Sequence, residues 1–272
     1  MSFHRFEDHA TRAFSPLIST AQNHLIESKY LYFNLNRKGL GTGSEPHYHP
    51  NELVIFVVEG KINALIGKER KVIKPGTLGI VPPNARHSFK ATEDGDCAYL
   101  YIKENSWGLV GIREDEAPPE ESLSVDVARK MTDEGAERFY KQDKEKSQVR
   151  IEGLRPSFYP ILEKLDDPIG YANRMLWHHG ERVEFGFFEL PEPYEEASKA
   201  SDRDQFLYML QGGMEVSVDG KSLRVGPGDV IEINVGQAYS LRSDGTDAPR
   251  FARVRPTPAA VAMIDAMPEN KK

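Results

Sequence analysis

The sequence predicts an all-β protein made of two β-barrels of one kind, joined by an acidic linker with a helical segment. Two observations lead to this fold class. Short runs of β-branched and aromatic residues alternate with glycine, proline and asparagine between residues 29 and 112, and the same texture returns after residue 180. Short strands separated by turn signals are typical of a sandwich or barrel. The second observation is that these two stretches repeat each other.

The repeat is visible when the turn residues of the two stretches are superimposed. The turn glycines of the two copies then coincide, provided that the alignment is shifted once by one residue. In the same alignment the strand at 53–58 lies over the strand after residue 205. The superimposed residues are Gly60 on Gly213, Gly67 on Gly220, Pro75 on Pro227, Gly76 on Gly228 and Ser88 on Ser240. The repeat indicates a duplicated barrel.

The chain therefore divides into five expected segments. Residues 1–28 form an arm with only short order, because its phenylalanines are spaced too irregularly for a helix. The apolar side chains of this arm would be exposed in a monomer, so we expect the arm to pack against a second copy of the chain in a homodimer. The linker is acidic at 114–121 and carries a helical pattern within 124–147. The linker as a whole spans 113–179. The remaining segments are the N-terminal barrel at 29–112, the C-terminal barrel at 180–258 and a tail at 259–272, which we expect to form a small helix and a frayed end.

Composition excludes several classes of protein. The 272 residues include 35 Lys and Arg against 42 Asp and Glu, a net charge of −7, which argues against nucleic acid as a partner. Cys97 is the single cysteine, so there is no internal disulfide and no thiolate zinc cluster, and a reducing cytoplasm is the expected location. The longest apolar run, at 53–58, is far shorter than the ~20 residues of a membrane helix, so we expect no membrane association.

A group of histidines in the first copy points to a metal. His47 and His49 are two residues apart, so on a strand both imidazoles face the same side. Glu52 opens the next strand, and His87 follows a Pro-Asn turn. Three imidazoles and one carboxylate suit one divalent transition metal, with Fe(II) favoured and Mn(II), Ni(II) or Zn(II) as alternatives. A mixed set of nitrogen and oxygen ligands with open positions is typical of catalysis.

These residues resemble the two motifs of the cupin superfamily. The first motif runs Gly, five residues, His-x-His, a short spacer, Glu and Gly, and it is matched by Gly41, His47, His49, Glu52 and Gly60. The spacer before Glu52 has two residues where the family usually has three or four. Glu52 therefore either approaches the metal from a shifted angle or leaves a site of three histidines.

The second cupin motif runs Gly, five residues, Pro-x-Gly, two residues, His. It is matched by Gly76, Pro82 and His87, with Asn84 in place of the second glycine. The resemblance implies a bicupin, strong over 29–104 and weak over 180–256.

In the second copy the four ligand positions carry other residues, so we expect that barrel to have lost the metal and to keep a structural role. The superposition places His47 on Ala200, His49 on Asp202, Glu52 on Gln205 and His87 on Tyr239.

Other residues near the motifs are weaker candidates. Arg86 is a candidate to bind a substrate carboxylate beside the metal, although a surface arginine at a turn is an equal alternative. Tyr99 and Tyr101 share one face of a late strand and are candidates to line the cavity. Glu52, if it is not tightly bound, is also a candidate general base.

The resemblance implies several functions for a small-molecule substrate. The favoured one is a mononuclear non-haem metal oxygenase of the dioxygenase type, acting on a small anionic or enolisable molecule. The alternatives are a non-oxidative metal-dependent isomerase or lyase of a sugar or keto acid, and a cupin that binds a small molecule without catalysis.

Overall fold

The structure of the protein is a computed structural model, and it describes residues 2–109, 111–113 and 156–267. These residues form four antiparallel sheets, and a 3-10 turn at Phe6–Asp8. The helical pattern predicted at 124–147 and the acidic run at 114–121 lie outside the described residues. The strands are β1 (Phe3–Arg5), β2 (Thr11–Arg12), β3 (Gln22–Glu27), β4 (Leu31–Lys38), β5 (His47–Tyr48), β6 (Leu53–Glu59), β7 (Ile62–Ile66), β8 (Glu69–Ile73), β9 (Thr77–Val81), β10 (His87–Ala91), β11 (Cys97–Glu104), β12 (Ile112–Arg113), β13 (Phe158–Pro160), β14 (Arg174–His179), β15 (Val183–Glu189), β16 (Tyr194–Ala200), β17 (Gln205–Gln211), β18 (Met214–Val218), β19 (Lys221–Val225), β20 (Asp229–Ile233), β21 (Ala238–Ser243) and β22 (Arg250–Pro256).

Each barrel consists of two sheets that face each other, as the sequence predicts. The N-terminal barrel has a seven-stranded sheet in the order β13-β9-β6-β11-β4-β3-β2 and a five-stranded sheet in the order β12-β5-β10-β7-β8. The C-terminal barrel has a six-stranded sheet in the order β1-β20-β17-β22-β15-β14 and a four-stranded sheet in the order β16-β21-β18-β19. The alternation of apolar and polar residues along the strands places one apolar core inside each barrel.

The two barrels share a third apolar core, which lies between their large sheets. Phe33 on β4 stacks on Phe206 on β17, with ring centroids 5.0 Å apart. Phe56 on β6 packs against Phe185 on β15 at 5.3 Å. These aromatic side chains lie on the outer faces of the large sheets, and burying them stabilises the pair of barrels as one unit.

Strands are exchanged between the two halves of the chain. β1 at the N-terminus pairs with β20 of the C-terminal barrel, where Phe3 lies opposite Ile231. β13 pairs with β9 of the N-terminal barrel, where Phe158 lies opposite Gly79. The large sheet of each barrel is therefore completed by a segment that lies outside that barrel in the sequence.

The N-terminal arm is more ordered than predicted. It contains β1, β2 and β3, and β3 pairs with β4 along its whole length. Phe6 is 1% exposed between the barrels, and Phe14 is buried in a small apolar cluster. The same chain covers these two side chains, so they give no reason for packing across a dimer.

The end of the chain follows the sequence more closely. The helix α1 (Pro258–Asp265) confirms the short helix predicted there, and Thr257 caps it by accepting a hydrogen bond from the Ala260 N–H. Before the C-terminal barrel, β14 already belongs to the large sheet at residue 174, six residues ahead of the predicted start at 180. Within the described residues, no helix is long and apolar enough to cross a membrane.

The duplication holds with a constant offset, which corrects the superposition made from sequence. β6 begins at Leu53 and β17 at Gln205. The strands that follow, up to residue 91 in the first copy, keep the same offset in residue number between the two copies. Gly60 corresponds to Gly212, since both have left-handed φ angles, 66° and 64°. Gly67 corresponds to Asp219, with φ angles of 61° and 48°. Aspartate tolerates this conformation, so the neighbouring glycine in the sequence shifted the predicted alignment by one residue.

Candidate metal centre

Three imidazoles converge at one end of the N-terminal barrel. His47 on β5 lies directly opposite His87 on β10, because the two strands pair in antiparallel register. His49 follows the end of β5. One ring nitrogen of each residue lies within 4.8 Å of the other two. We call His47, His49 and His87 the histidine triad.

Backbone hydrogen bonds fix the tautomer of the histidine triad. Each Nδ1 lies 2.8–3.0 Å from a backbone carbonyl oxygen, those of Glu45, Asn51 and Ala85 respectively. A carbonyl only accepts, so each Nδ1 carries the proton and donates it, and each Nε2 keeps its lone pair. This arrangement is common among imidazoles that bind metals, because it holds the ring orientation.

The triad fits a first-row divalent metal ion. The Nε2 atoms of His49 and His87 are buried and have no hydrogen-bond partner among the described residues, so a metal would satisfy them. Burial lowers the pKa of His47 to about 3 and lowers the pKa values of His49 and His87 well below the usual range. The rings are therefore neutral at pH 7, which is the form that binds a metal.

Glu52 is not part of this site, which corrects its predicted role as a metal ligand. Its carboxylate accepts three backbone hydrogen bonds from the C-terminal barrel, donated by Glu181, Arg182 and Val183 at 2.9, 2.7 and 2.8 Å. Gly180 permits this approach, because a Cβ there would lie 2.5 Å from the carboxylate oxygens. The two-residue spacer thus leaves a site of three histidines, the second of the two predicted outcomes. A carboxylate held by three donors is not a free general base either.

The turn at 180–183 also holds the segment that carries His49. Arg182 donates to the backbone oxygen of Pro50 at 2.9 Å and to Oε1 of Glu104 at 2.7 Å. The side-chain amide of Asn51 donates to the backbone oxygens of Glu104 and Trp107 at 2.7 and 2.9 Å. Residues of both barrels therefore fix the backbone that orients one of the three imidazoles.

A cavity of about 40 Å³ lies beside the triad, inside the N-terminal barrel. It has room for a few water molecules or part of a small ligand. Tyr99 and Tyr101 line it, together with His47 and His87. The other lining residues are Phe14, Ser15, Ser19, Ala21, Asn23, Asn36, Lys38, Ser44, Phe89 and Leu109.

Two buried lysines of the N-terminal barrel are not predicted from the sequence, and of these Lys38 lines the cavity. Lys38 donates from Nζ to the backbone oxygen of Phe89 at 2.6 Å. Lys103 is 0% exposed, and its Nζ has no hydrogen-bond partner among the described residues. Burial lowers the pKa of each lysine to about 7. Strand alternation was the available signal, since Tyr99, Tyr101 and Lys103 share one face of β11.

Other candidate residues lie away from the triad. Arg86 precedes His87 and is half-buried, and it is not among the described residues that line the cavity. Its predicted contact with a substrate carboxylate stays a prediction. His178 packs against Tyr159, and His179 lies 3.1 Å from a carboxylate oxygen of Glu184.

The equivalent positions in the C-terminal barrel carry a different network. The corrected offset places Lys199, Ser201, Asp204 and Tyr239 at the positions of His47, His49, Glu52 and His87. The same pairing supports it, because Lys199 lies opposite Tyr239 as His47 lies opposite His87. The equivalents predicted from the sequence, Ala200, Asp202 and Gln205, therefore each lie one residue after the correct position.

Charge inside the C-terminal barrel is balanced by an internal ion pair. Arg253 donates to Glu196 at 2.8 Å and to the hydroxyl of Tyr239 at 2.8 Å. The hydroxyl of Tyr239 in turn donates to Glu196 at 2.6 Å. A guanidinium group is a permanent cation, so it disfavours a metal ion nearby.

Comparisons with known proteins agree with the two barrels. The cupin domain family matches residues 39–103 and 186–252, one segment in each barrel. No curated protein sequence matches the chain.

The similar solved structures include oxalate decarboxylases. One, studied for its substrate binding mode and a reaction specificity switch, has a TM-score of 0.62 and 17% identity, and the match covers 94% of this chain and 77% of that one. A tryptophan-to-tyrosine variant of the Bacillus subtilis enzyme has the same four values. A structure of the B. subtilis enzyme used to assign its Mn(II) centres has a TM-score of 0.61 at 17% identity, over 94% and 77% of the two chains. At this identity the likeness shows a shared fold.

Proposed function

Because the chain belongs to the cupin family and is a bicupin whose N-terminal barrel carries a histidine triad, we propose that it is a metal-dependent enzyme. Its substrate is a small anionic or enolisable molecule, bound in the cavity beside the triad. The triad holds the metal, and Tyr99 and Tyr101 form part of the cavity wall. The favoured metal is Fe(II). Mn(II) is the main alternative, since a B. subtilis oxalate decarboxylase of the same fold has Mn(II) centres.

One observation carries the proposal, namely that none of the described residues at the metal centre supplies a negative charge. The three imidazoles are neutral, and Glu52 faces the C-terminal barrel. Lys38 and Lys103 are both buried in the same barrel. A divalent ion in this setting favours an anionic ligand, because negative charge on the ligand compensates the positive charge of the site. Three protein ligands also leave coordination positions open for it.

We propose oxygenation as the reaction. A bound ion would act as a Lewis acid toward an anionic substrate oxygen, and a redox-active ion would also allow reaction with O₂. The residues that line the cavity orient the substrate, since the cavity is small. The backbone carbonyls behind the triad keep the imidazoles in place during this chemistry.

Decarboxylation, a lyase reaction, is the second candidate. Similarity to oxalate decarboxylases over 94% of this chain favours it. It needs the same site and a carboxylate as substrate, and its products are CO₂ and the remaining fragment, which takes up a proton in place of the carboxylate. Isomerisation of a sugar or keto acid, and small-molecule binding without catalysis, stay as further alternatives from the sequence.

Metal analysis of the purified protein is the first test. The proposal predicts about one equivalent of transition metal per chain after reconstitution with Fe(II) or Mn(II). Less than about a tenth of an equivalent would overturn it. The double variant His47→Ala, His49→Ala is the matched control and should not retain metal.

A panel of substrates then separates the two reactions. The metal-loaded protein is incubated with diketones, catechols, hydroxyacetophenones and oxalate, while O₂ uptake and CO₂ release are recorded together. Uptake of O₂ that disappears in the double histidine variant supports oxygenation. Release of CO₂ without net O₂ uptake supports decarboxylation instead. Uptake that persists in the variant would contradict the proposed site.

A further inference from the structure

Lys103 is a buried amine that forms no hydrogen bond to an acid among the described residues. It lies on β11, its side chain is 0% exposed, and its Nζ has no hydrogen-bond partner among the residues that the structure describes. A buried polar group without a partner is costly, and a buried charge is more so. Such a group calls for an explanation, and a ligand that accepts its hydrogen bond is one.

Glu104 compensates the charge of Lys103 only in part: it raises the pKa of the amine, but burial lowers that pKa by more. Glu104 follows it on the strand, so its side chain points to the opposite face. Both carboxylate oxygens of Glu104 are already bound: Oε1 accepts from Arg182 and from the Glu52 N–H, and Oε2 accepts from the Ser106 N–H. No carboxylate is among the described residues that line the cavity.

Lys103 points into the N-terminal barrel, the barrel that holds the metal centre. It shares the inner face of β11 with Tyr99 and Tyr101, which line the cavity with His47 and His87, and Lys103 itself is not among the described residues that line it. Its Nζ lies 5.4 Å from the centroid of the Tyr101 ring. Its positive charge lowers the pKa of each of the three imidazoles of the triad.

The buried Lys38 differs from Lys103 in its surroundings. Lys38 has two oxygen acceptors in the chain, the backbone oxygen of Phe89 at 2.6 Å and the hydroxyl of Ser44 at 3.4 Å. These hydrogen bonds give Lys38 a structural role, whereas the Nζ of Lys103 has no acceptor among the described residues.

We propose that Lys103 binds a carboxylate group of the substrate, whose other contact is the metal held by the histidine triad. This rests on the proposed function and narrows its substrate class to carboxylic acids. The ammonium group donates to one carboxylate oxygen, and this charge-assisted hydrogen bond satisfies the orphaned amine. The carboxylate in turn supplies the negative charge that neither Glu52 nor any described cavity-lining residue provides. Lys103 thereby selects carboxylates over neutral ligands of the same size.

Oxalate is the probe for this contact, and Co(II) is the reporter metal. Wild type, Lys103→Met and Lys103→Arg are loaded with Co(II), and oxalate is titrated while the visible spectrum of the metal is recorded. Lys103→Met removes the charge with little change in volume. The control Lys61→Met removes an exposed lysine that pairs with Asp94 at 2.9 Å, and neither residue lines the cavity. Uncharged imidazole at pH 8 serves as a neutral ligand for the same metal.

The expected result is a loss of carboxylate affinity alone. Oxalate should bind Lys103→Met at least about tenfold more weakly than wild type, since a hydrogen bond to a charged group is lost. Lys103→Arg should bind it more tightly than Lys103→Met does. Co(II) content and imidazole affinity should stay within about twofold of wild type. If Lys103→Met does not fold, Lys103→Gln is used in the same comparison.

Two results would overturn the inference. Equal oxalate affinity in wild type and Lys103→Met would show that the amine does not contact the carboxylate. Loss of Co(II) from Lys103→Met would show that the amine is instead a metal ligand. In either case the proposed function stands, because wild type still binds metal. Absence of Co(II) from wild type would overturn the proposed function together with this inference.

Discussion

The carboxylate of Glu52 accepts a hydrogen bond from the backbone N–H of Arg182 at 2.7 Å, across the boundary between the two barrels. The sequence motif had placed this carboxylate on the metal. In the structure it fixes a turn of the C-terminal barrel against the segment that carries His49. The barrel without the histidines therefore contributes to the shape of the metal centre in the other barrel.

Replacing Glu52 by glutamine should weaken the protein and spare the metal. An amide has one acceptor oxygen in place of two, so at least one of the three buried N–H donors loses its partner. We expect the free energy of unfolding to fall by about 1–3 kcal/mol, measured by urea denaturation. Metal content by elemental analysis should equal that of wild type. Loss of metal in Glu52→Gln, with Glu59→Gln unaffected as the control, would restore Glu52 as a ligand.

Gly180→Ala should disturb the same contact from the other side. Its Cβ would lie 2.5 Å from the Glu52 carboxylate, so the turn or the carboxylate has to move. We expect a loss of about 1–3 kcal/mol in the free energy of unfolding. Gly170→Ala is the matched control, because a Cβ at that position meets no atom within 4 Å. Equal stability of the two variants would show that the turn adapts without cost.

Removal of one imidazole should abolish metal binding at the triad. His87→Ala leaves two ligands, and we expect the affinity for Mn(II) to fall by more than about 100-fold, beyond the usual effect of removing a residue that merely orients a ligand. Titration of Mn(II) followed by electron paramagnetic resonance measures this. His178→Ala is the control, since His178 packs against Tyr159. Unchanged affinity in His87→Ala would contradict the three-histidine site.

The metal-free protein should lose stability as the pH falls below 6.5. Burial lowers the pKa of His47 to about 3, so the unfolded chain binds protons in this range and the folded chain does not. The stability from this residue is complete above pH 6.5 and is lost progressively toward pH 3, at about 1.4 kcal/mol per pH unit for each such histidine. Urea denaturation at several pH values measures the slope. A variant with all three triad histidines replaced should show a shallower slope, and an unchanged slope would contradict the buried neutral rings.

Tyr239→Phe should affect the C-terminal barrel only. The hydroxyl lies between Glu196 and Arg253, so its removal takes away two buried hydrogen bonds. We expect a loss of about 1–3 kcal/mol in the free energy of unfolding, with metal content unchanged. A fall in metal content would show that the C-terminal barrel holds metal after all.

The sequence predicted the fold from local signals. Strand alternation, turn glycines and the spacing of His47, His49 and His87 depend on neighbours along the chain, and the duplication repeats them. The predicted alignment of the second copy was wrong by one residue because Asp219 adopts the left-handed conformation that glycine has at position 67. The conformational preferences of aspartate and glycine alone do not decide which of the two adjacent residues, Asp219 or Gly220, is equivalent to Gly67.

The sequence by itself determined that this chain has two cupin barrels and that three histidines meet in the first one. Only the tertiary structure decided what surrounds them. The partners of Glu52 lie about 130 residues away along the chain, and β1 completes a sheet in the other half of the molecule. The inward direction of Lys103 likewise depends on which face of β11 is closed off by the neighbouring strands. Such contacts depend on packing between distant segments, and packing decides whether a charged residue faces water, another barrel or a metal centre.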